Sequence, residues 1–465
     1  MVGITAYGAY IPRYRLGRET AGWNMPIEKP VCNFDEDTIT MAVAAAMDCI
    51  RGEDRDTVDS LIFATSTPPY IEKQNAAMVA AAVDLRRDII TNDITNSLRA
   101  GTLALKTALD SVSAGSARQV MVTASDARTA EPGGEIDQAI GDGAGALLVG
   151  SKDVIATMTG FHTISEETQD YWRAEGDNYV RSWEDRFVFD TGYLNIMPEA
   201  VAGLLKKMNL TAKNVTKAVF YGPNQRRHQE MARKLGFAPE QVQDPLFGKM
   251  NNTGAAYPIM LLIAALETAK AGDRILFASY GDGADAYMIE VTEDIKKVKP
   301  KHGIKINLET KRIAKRRGVR GPEMKAQEGA PPSVSARWRQ REAIDRLYGA
   351  KCLNCGLVQY PAQRVCSRCH SKDRWETVRL SDKKGKIYTF SLDYLVPGLD
   401  RPLAICIVDW ECGGRGLFTG TDRDVEPAPG DIHCEAPVEM TFRKLRSSGG
   451  VHNYYWKCMP RRYPF

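Results

Sequence analysis

Cys352, Cys355, Cys366 and Cys369 stand as two Cys-x-x-Cys pairs separated by ten residues, in CLNCGLVQYPAQRVCSRC. Two such knuckles present four thiolates tetrahedrally, a set suited to Zn2+. Two disulfides or four buried thiols are the alternatives. Four protein sulfurs leave no open coordination position, so a zinc here would stabilise folding and take no part in a reaction. His370 adjoins the last cysteine and is not needed as a ligand. A second stretch with chemical potential is DITNSLRAGTLAL, Asp93 to Leu105. It reads as a short strand, a tight bend and the start of a helix, a junction where α/β enzymes present a nucleophile. No cysteine stands in it, and the bend offers only Thr95, Asn96, Ser97, Leu98 and Arg99. Ser97 is the candidate nucleophile; a small residue at a tight bend is the plain alternative.

The elements that must position these residues follow from the rest of the chain. At 465 residues it is too long for one ordinary core, and two or three domains are expected. A net charge of +4 argues against a dedicated nucleic-acid binder. The N-terminus has no basic segment followed by an apolar core, and no apolar run is long enough to span a bilayer, so a cytoplasmic protein is expected. Only Cys32 and Cys49, of ten cysteines, precede residue 350, which marks a domain boundary rather than a disulfide scaffold. Cys406, Cys412, Cys434 and Cys458 lack ligand spacing and read as core thiols.

Residues 1–292 alternate short apolar strands (SLIFATST, QVMVTASDA, GAGALLVGS, KAVFYGPN) with helical segments (NAAMVAAAVDL, QRRHQEMARKLGF and a long helix over 255–272). This order indicates a layered α/β fold. GDGAGALLV and GDGADAYMI place the same Gly-Asp-Gly turn before an apolar strand about 140 residues apart, which suggests two duplicated halves. Residues 293–334 are basic, then Gly/Pro-rich, and read as a short terminal element plus a linker. Residues 335–380 read as one amphipathic helix, with Trp338, Ile344 and Leu347 on one side, followed by the cysteine ribbon. Residues 381–465 carry several short β-type runs and read as a small barrel.

The first 290 or so residues resemble the thiolase superfamily, and within it the archaeal type of hydroxymethylglutaryl-CoA synthase. The resemblance is carried by GAYIPRYRL, DEDTITMAVAAA, RAGTLAL, GDGAGALL, YGPN, NNTGAAYP and SYGDGAD, in that order. Residues 335–465 resemble the zinc-ribbon plus OB-fold domains that accompany thiolases and related synthases as acyl-CoA-binding partners. The resemblance implies a five-layered αβαβα fold, a homodimer, CoA-thioester substrates and a Cys–His–Glu catalytic set. Each member of that set is replaced. Leu98, one residue after Ser97, falls at the cysteine position, Tyr221 at the histidine position and Ser66 at the glutamate position. Asn252 falls on an asparagine near the thioester.

A thioester intermediate needs a nucleophile that is also a leaving group, and Leu98 cannot serve. Two readings stand. One is an enzyme of aldol, retro-aldol or Claisen type without a cysteine nucleophile, in which Tyr221 moves the proton and Asn252 holds the thioester oxygen. The other is an inactive scaffold or channel beside a partner thiolase. Arg226 and Arg227 could bind CoA phosphates, though an exposed helix face reads equally well. His228 on the same helix reads as solvated, and Cys32 as a remote substitute nucleophile. Single-stranded nucleic acid on the barrel is a third, weaker class.

Overall fold

The computed structural model describes residues 1–17, 27–299, 301–313, 333–395, 402–424 and 430–461. The chain divides into two compact units: Met1–Cys32 with Asp37–Pro322, and Asn33–Glu36 with Glu323–Phe465. We number the strands of the larger sheets and the ribbon, and the helices of the first unit.

The first unit carries β1 (Gly3–Tyr10), α1 (Thr38–Cys49), β2 (Val58–Thr65), α2 (Ala76–Ala82), β3 (Ile90–Thr95), α3 (Ala100–Ser113), β4 (Gln119–Asp126) and β5 (Gly143–Gly150). It continues with β6 (Ala156–Ser165), α4 (Leu194–Lys207), β7 (Lys217–Phe220), α5 (Gln225–Leu235), α6 (Tyr257–Leu266), β8 (Arg274–Tyr280), β9 (Gly283–Val291) and α7 (Gly303–Glu309). The strands lie in the order β3-β2-β4-β5-β1, then β6-β9-β8-β7.

The two halves share one topology. In the first, β1–β5 and β5–β4 are antiparallel, while β4–β2 and β2–β3 are parallel. In the second, β6–β9 and β9–β8 are antiparallel and β8–β7 is parallel. A parallel bridge, Ala218 to Val242, stands where the third strand of the second half belongs. The two Gly-Asp-Gly turns lead into β5 and β9, equivalent strands of the two halves. The duplication is thus a property of the fold. Helix α1 covers β1, β5 and β4, while α6 lies against β5 and also against β7 and β8; α4 covers β9, β6 and β8. Layers of helix and sheet therefore alternate, with α3 and α6 in the middle. Of these two, α6 is almost wholly apolar: nine of the ten residues of YPIMLLIAAL are buried, as a helix flanked by sheets on both sides requires.

Three expectations are revised. The helix expected over 255–272 is shorter, Tyr257–Leu266, preceded by a 3-10 turn at Gly254–Ala256. The segment 293–313 is structured: α7 is followed by a strand at Arg312–Ile313 paired with Tyr14–Arg15. The Gly/Pro-rich remainder of the expected linker, 314–332, lies outside the described residues. The single helix expected over 335–352 is two short ones, Val334–Arg339 and Arg341–Asp345, broken at Gln340, and the chain then enters a strand. Trp338 is exposed rather than on a buried face.

The second unit begins with a three-stranded ribbon, β10 (Tyr348–Cys352), β11 (Val358–Gln359) and β12 (Trp375–Arg379), with β10 in the middle. A five-stranded sheet follows: β13 (Gly385–Asp393), β14 (Leu403–Trp410), β15 (Arg415–Thr419), β16 (Pro437–Ser448) and β17 (Val451–Pro460). Their order is β15-β14-β13-β16-β17. A parallel bridge from Gly420 to Cys458 brings the two edges together. β14 alternates strictly, with Ala404, Cys406, Val408 and Trp410 inward, the period-two pattern of a strand with one wet face. Cys406 and Cys458 are core thiols as expected; Cys412 and Cys434 are exposed instead, in turns where no sheet covers them.

Asn33–Glu36 is held inside this unit by buried charge. The Asp35 carboxylate accepts from Thr421 Oγ1 and Lys457 Nζ, each at 2.8 Å. Arg443 pairs with Glu36 and donates to Asp422 at 2.8 Å. Opposite charges satisfy one another here, which a dry interior demands.

Candidate functional site

The bend after β3 forms because Asn96 takes a left-handed φ of 69°, which asparagine tolerates better than most residues. Helix α3 then starts at Ala100. Ser97 is half-buried, and its hydroxyl is 3.4 Å from the Gly281 carbonyl. Leu98 is buried. Its Cβ would stand only 3.0 Å from a Cβ at Gly281, so glycine there lets the two segments meet.

Arg99 fixes this approach. It donates to Asp285 at 3.0 Å and to the Asp282 carbonyl at 2.7 Å. Asp285, fully buried, also accepts from Thr102 and Thr163, each at 2.7 Å. Asp285→Ala would leave the buried guanidinium without its counter-charge. The expected loss is about 3–5 kcal/mol in chemical denaturation of the full chain; a loss below about 1 kcal/mol, the range of surface pairs, would contradict this account.

Ser66 follows the end of β2. Its hydroxyl donates to Asp126 at 2.7 Å. The Asp126 carboxylate also accepts from Thr65 and Thr67 hydroxyls and from the Ser66 and Ala255 amides, at 2.7–2.8 Å. Gly254 stands beside it with φ 62°, and a Cβ there would lie 2.2 Å from Asp126 Oδ2. Asp126 was not singled out in the sequence, although a lone carboxylate ending an apolar strand was a usable signal. The Asn252 side chain is tied to backbone: Nδ2 donates to the Gly222 carbonyl at 3.2 Å, and Oδ1 accepts from the Gly254 amide at 2.9 Å.

Tyr221 follows β7 and is 1% exposed. Its ring packs among those of Tyr193, Tyr257 and Tyr280, with centroids 5.9–6.3 Å apart. The Tyr193 hydroxyl donates to the Tyr221 carbonyl and the Tyr257 hydroxyl to the Pro245 carbonyl, each at 2.8 Å. The Tyr221 and Tyr280 hydroxyls, although buried, have no such partner. Burial pushes the Tyr221 phenol up to about 12, against the opposing pull of the Arg128 guanidinium and the Asn252 amide. Thus Ser66, Asn252 and Tyr221 are linked through Asp126, Gly254 and Gly222, and Ser97 and Leu98 join them through Gly281, which follows Tyr280.

Other candidates fall outside this group. Arg226 is exposed. Arg227 lies over the Phe189 ring at 4.6 Å and donates to Glu230 at 2.9 Å, so its charge is already met. His228 is buried, not solvated as expected: it stacks on Phe220 with centroids 4.3 Å apart. Its spacing from Met231 and Leu235 puts all three on one helix face, a signal overlooked because charged neighbours surround it. Burial lowers its pKa to about 4, so it is neutral near pH 7. Cys32 is buried with its thiol 3.6 Å from the Met41 sulfur, a packing position.

In the second unit, the sulfurs of Cys352, Cys355, Cys366 and Cys369 all lie within 4.8 Å of one another. The pairs Cys352–Cys369 and Cys355–Cys366 are 3.6 and 3.5 Å apart. A Zn–S distance of about 2.3 Å puts the corners of a sulfur tetrahedron about 3.8 Å apart, so the set fits zinc.

Comparison with known proteins matches these parts separately. Residues 205–289 match the family described as 3-oxoacyl-[acyl-carrier-protein] synthase III C terminal, and residues 339–374 the ChsH2 rubredoxin-like zinc ribbon domain. The chain is 34% identical over 317 residues to hydroxymethylglutaryl-CoA synthase of Methanopyrus kandleri, covering 64% of this chain and 90% of that protein. It is 33% identical over 307 residues to the Pyrococcus horikoshii enzyme of the same name, covering 63% and 87%. Among solved structures, a hydroxymethylglutaryl-CoA synthase complexed with CoA aligns over 71% of this chain and 92% of that one, at 18% identity and a TM-score of 0.64. The synthase III of Aquifex aeolicus aligns over 62% and 100%, at 22% identity and a TM-score of 0.56. Both share the fold of the first unit.

Proposed function

This chain belongs to the hydroxymethylglutaryl-CoA synthase family, and from that membership we propose that it makes or breaks a carbon–carbon bond in a CoA thioester without a cysteine nucleophile. The relatives' shared name supplies the substrate class. The observation that carries the reading is the Tyr221 hydroxyl, buried and in no well-formed hydrogen bond. A poorly satisfied buried group needs an explanation, and a bound molecule that completes its bonding is one. Aldol or retro-aldol chemistry on a β-hydroxyacyl-CoA needs a proton donor and acceptor and stabilisation of the enolate oxygen; Claisen-type exchange fits less well with Leu98 at the bend. Tyr221 is the acid/base group of this reading. Ser66, bonded to Asp126, and Ser97 are polar lining groups, and Asn252 orients the loop carrying Tyr221.

Cys352, Cys355, Cys366 and Cys369 would hold one structural Zn2+, which braces the ribbon. The strand order and the Gly420–Cys458 bridge support an OB-type barrel that assists acyl-CoA binding; Arg226 remains the candidate for the CoA phosphates. No helix among the described residues is long and apolar enough to cross a membrane. A second reading, an inactive scaffold for a partner thiolase, is favoured by the closure over Tyr221 and by the Asn252 amide being tied to backbone.

The test is native mass spectrometry of the full chain isolated from its host, joined to turnover assays on a panel of β-hydroxyacyl-CoA thioesters. A homodimer that releases a shorter acyl-CoA and an aldehyde or ketone is expected. An inert chain bound to a stoichiometric cysteine-bearing thiolase would instead establish the scaffold.

A further inference from the structure

Tyr221 is not the only orphan in its neighbourhood. Tyr280 Oη, Asp170 Oδ2 and Thr168 Oγ1 are also buried outside any well-formed hydrogen bond. They belong together: the Tyr280 hydroxyl faces both Thr168 and Asp170, and the Tyr280 ring packs against that of Tyr221 with centroids 6.3 Å apart. Asp170 is 4% exposed; its other oxygen accepts from the Tyr171 amide at 2.7 Å. The contrast with Tyr193 and Tyr257 is informative, since those two structural tyrosines each donate to a carbonyl. Four buried oxygens outside well-formed hydrogen bonds, three of them facing one another, make a place where a polar ligand completes the bonding.

The chain is shaped around this hydroxyl. Arg186–Tyr193 is a π-helix, a rare form frequent at functional sites. Within it, a Cβ at Gly192 would lie 2.5 Å from Tyr280 Oη. Any side chain at 192 would displace the hydroxyl.

We propose that Tyr280 is a second proton-handling residue of the site, and that Asp170, held beside it with Thr168, is the positioning residue that accepts its proton. The proposal rests on the CoA-thioester reading above. In the cleavage direction, Tyr280 takes the proton of the substrate β-hydroxyl while its own passes to Asp170. The bond between the α- and β-carbons breaks, the β-carbon leaves as a carbonyl, and the electron pair becomes the thioester enolate. The α-carbon then takes the Tyr221 proton. Tyr221 recovers one from Asp170 through Tyr280 and a water bridging the two hydroxyls, so no proton is gained or lost. Addition is the reverse. Burial raises the Asp170 pKa, and Asp282 adds to the rise, which makes its carboxylate a stronger proton acceptor. The other groups facing this cluster are Arg128, Tyr171 and Asp185.

The test follows α-proton exchange of propionyl-CoA in D2O by mass spectrometry, with calorimetry for propionyl-CoA binding. The unaltered chain is expected to wash in deuterium, with a rate that rises with pH along an acid limb. Tyr280→Phe and Asp170→Asn are expected to slow exchange at least about 100-fold with binding unchanged. Asp170→Asn should also flatten the acid limb, and Asp170→Glu should restore part of the rate. Gly192→Ala reaches the same hydroxyl without altering a polar group, and should slow exchange even if another variant fails to fold. Exchange at the unaltered rate in Tyr280→Phe and Gly192→Ala, alongside loss in Tyr221→Phe, would overturn this inference and leave the broader reading standing. No exchange by the unaltered chain would overturn both.

Discussion

Tyr221→Phe is expected to cut carbon–carbon bond cleavage by about 100- to 10,000-fold while leaving the protein as stable as before, or more so. The two halves of that expectation have one cause. The Tyr221 hydroxyl is buried, and its contact with the Asn252 amide falls short of a well-formed hydrogen bond. Deleting it removes the desolvation cost of a poorly satisfied polar group, about 1–3 kcal/mol, and breaks no well-formed hydrogen bond. The ring contacts with Tyr193, Tyr257 and Tyr280 survive in phenylalanine. A residue kept for packing would show the stability gain without the activity loss. A residue kept for chemistry would show both, the usual exchange of stability for function at an active site. Thermal denaturation and turnover of one purified variant decide the matter. Full activity in Tyr221→Phe would remove the tyrosine from the mechanism. In a scaffold, the partner enzyme's rate would be nearly unchanged.

Removing zinc is expected to unfold the ribbon over Tyr348–Arg379. These residues have little core of their own: β12 is largely exposed and β11 is two residues long. Cys352 and Cys366 are among its few buried side chains. Structural zinc in comparable small domains contributes about 10–16 kcal/mol of binding free energy at pH 7, which in such a domain is folding free energy. Cys355→Ser should therefore lose metal and amide-exchange protection across the ribbon. One zinc per chain is expected by elemental analysis, released by a chelator together with that protection. A metal-free chain with a fully protected ribbon would show that four thiols pack well enough unaided.

Much of this was legible in residue spacing. The cysteine pairs are a local pattern, and the ligand set they form depends on two tight turns. Alternating strand and helix composition gave the layered fold, and the repeated Gly-Asp-Gly turn gave its duplication. The limits of the local signal are equally specific. The helix expected over 335–352 has the right composition, yet Gln340 breaks it and Tyr348 starts a strand paired with Trp375–Arg379, because the ribbon's cross-strand hydrogen bonds outweigh a weak helical preference.

The proposed site divides along the same line. Tyr221, Asn252, Ser97 and Ser66 could be named from their places in ordered motifs. Asp126, Asp170 and Tyr280 could not. Asp170 sits in a loop with no periodicity, and Tyr280 was hidden inside a motif read only for its glycines. Whether a buried oxygen has a hydrogen-bond partner depends on residues far away in the chain. Asp126 gathers donors from residues 65–67 and from Ala255; Tyr280 meets Thr168, Asp170 and Gly192. Sequence periodicity reports which face of an element is buried, since that depends on neighbours two to four residues apart. The satisfaction of each polar group is a non-local sum. The sequence by itself therefore determined the layers, the repeat and the four-cysteine cluster, and the tertiary structure alone decided which hydroxyls were left poorly bonded.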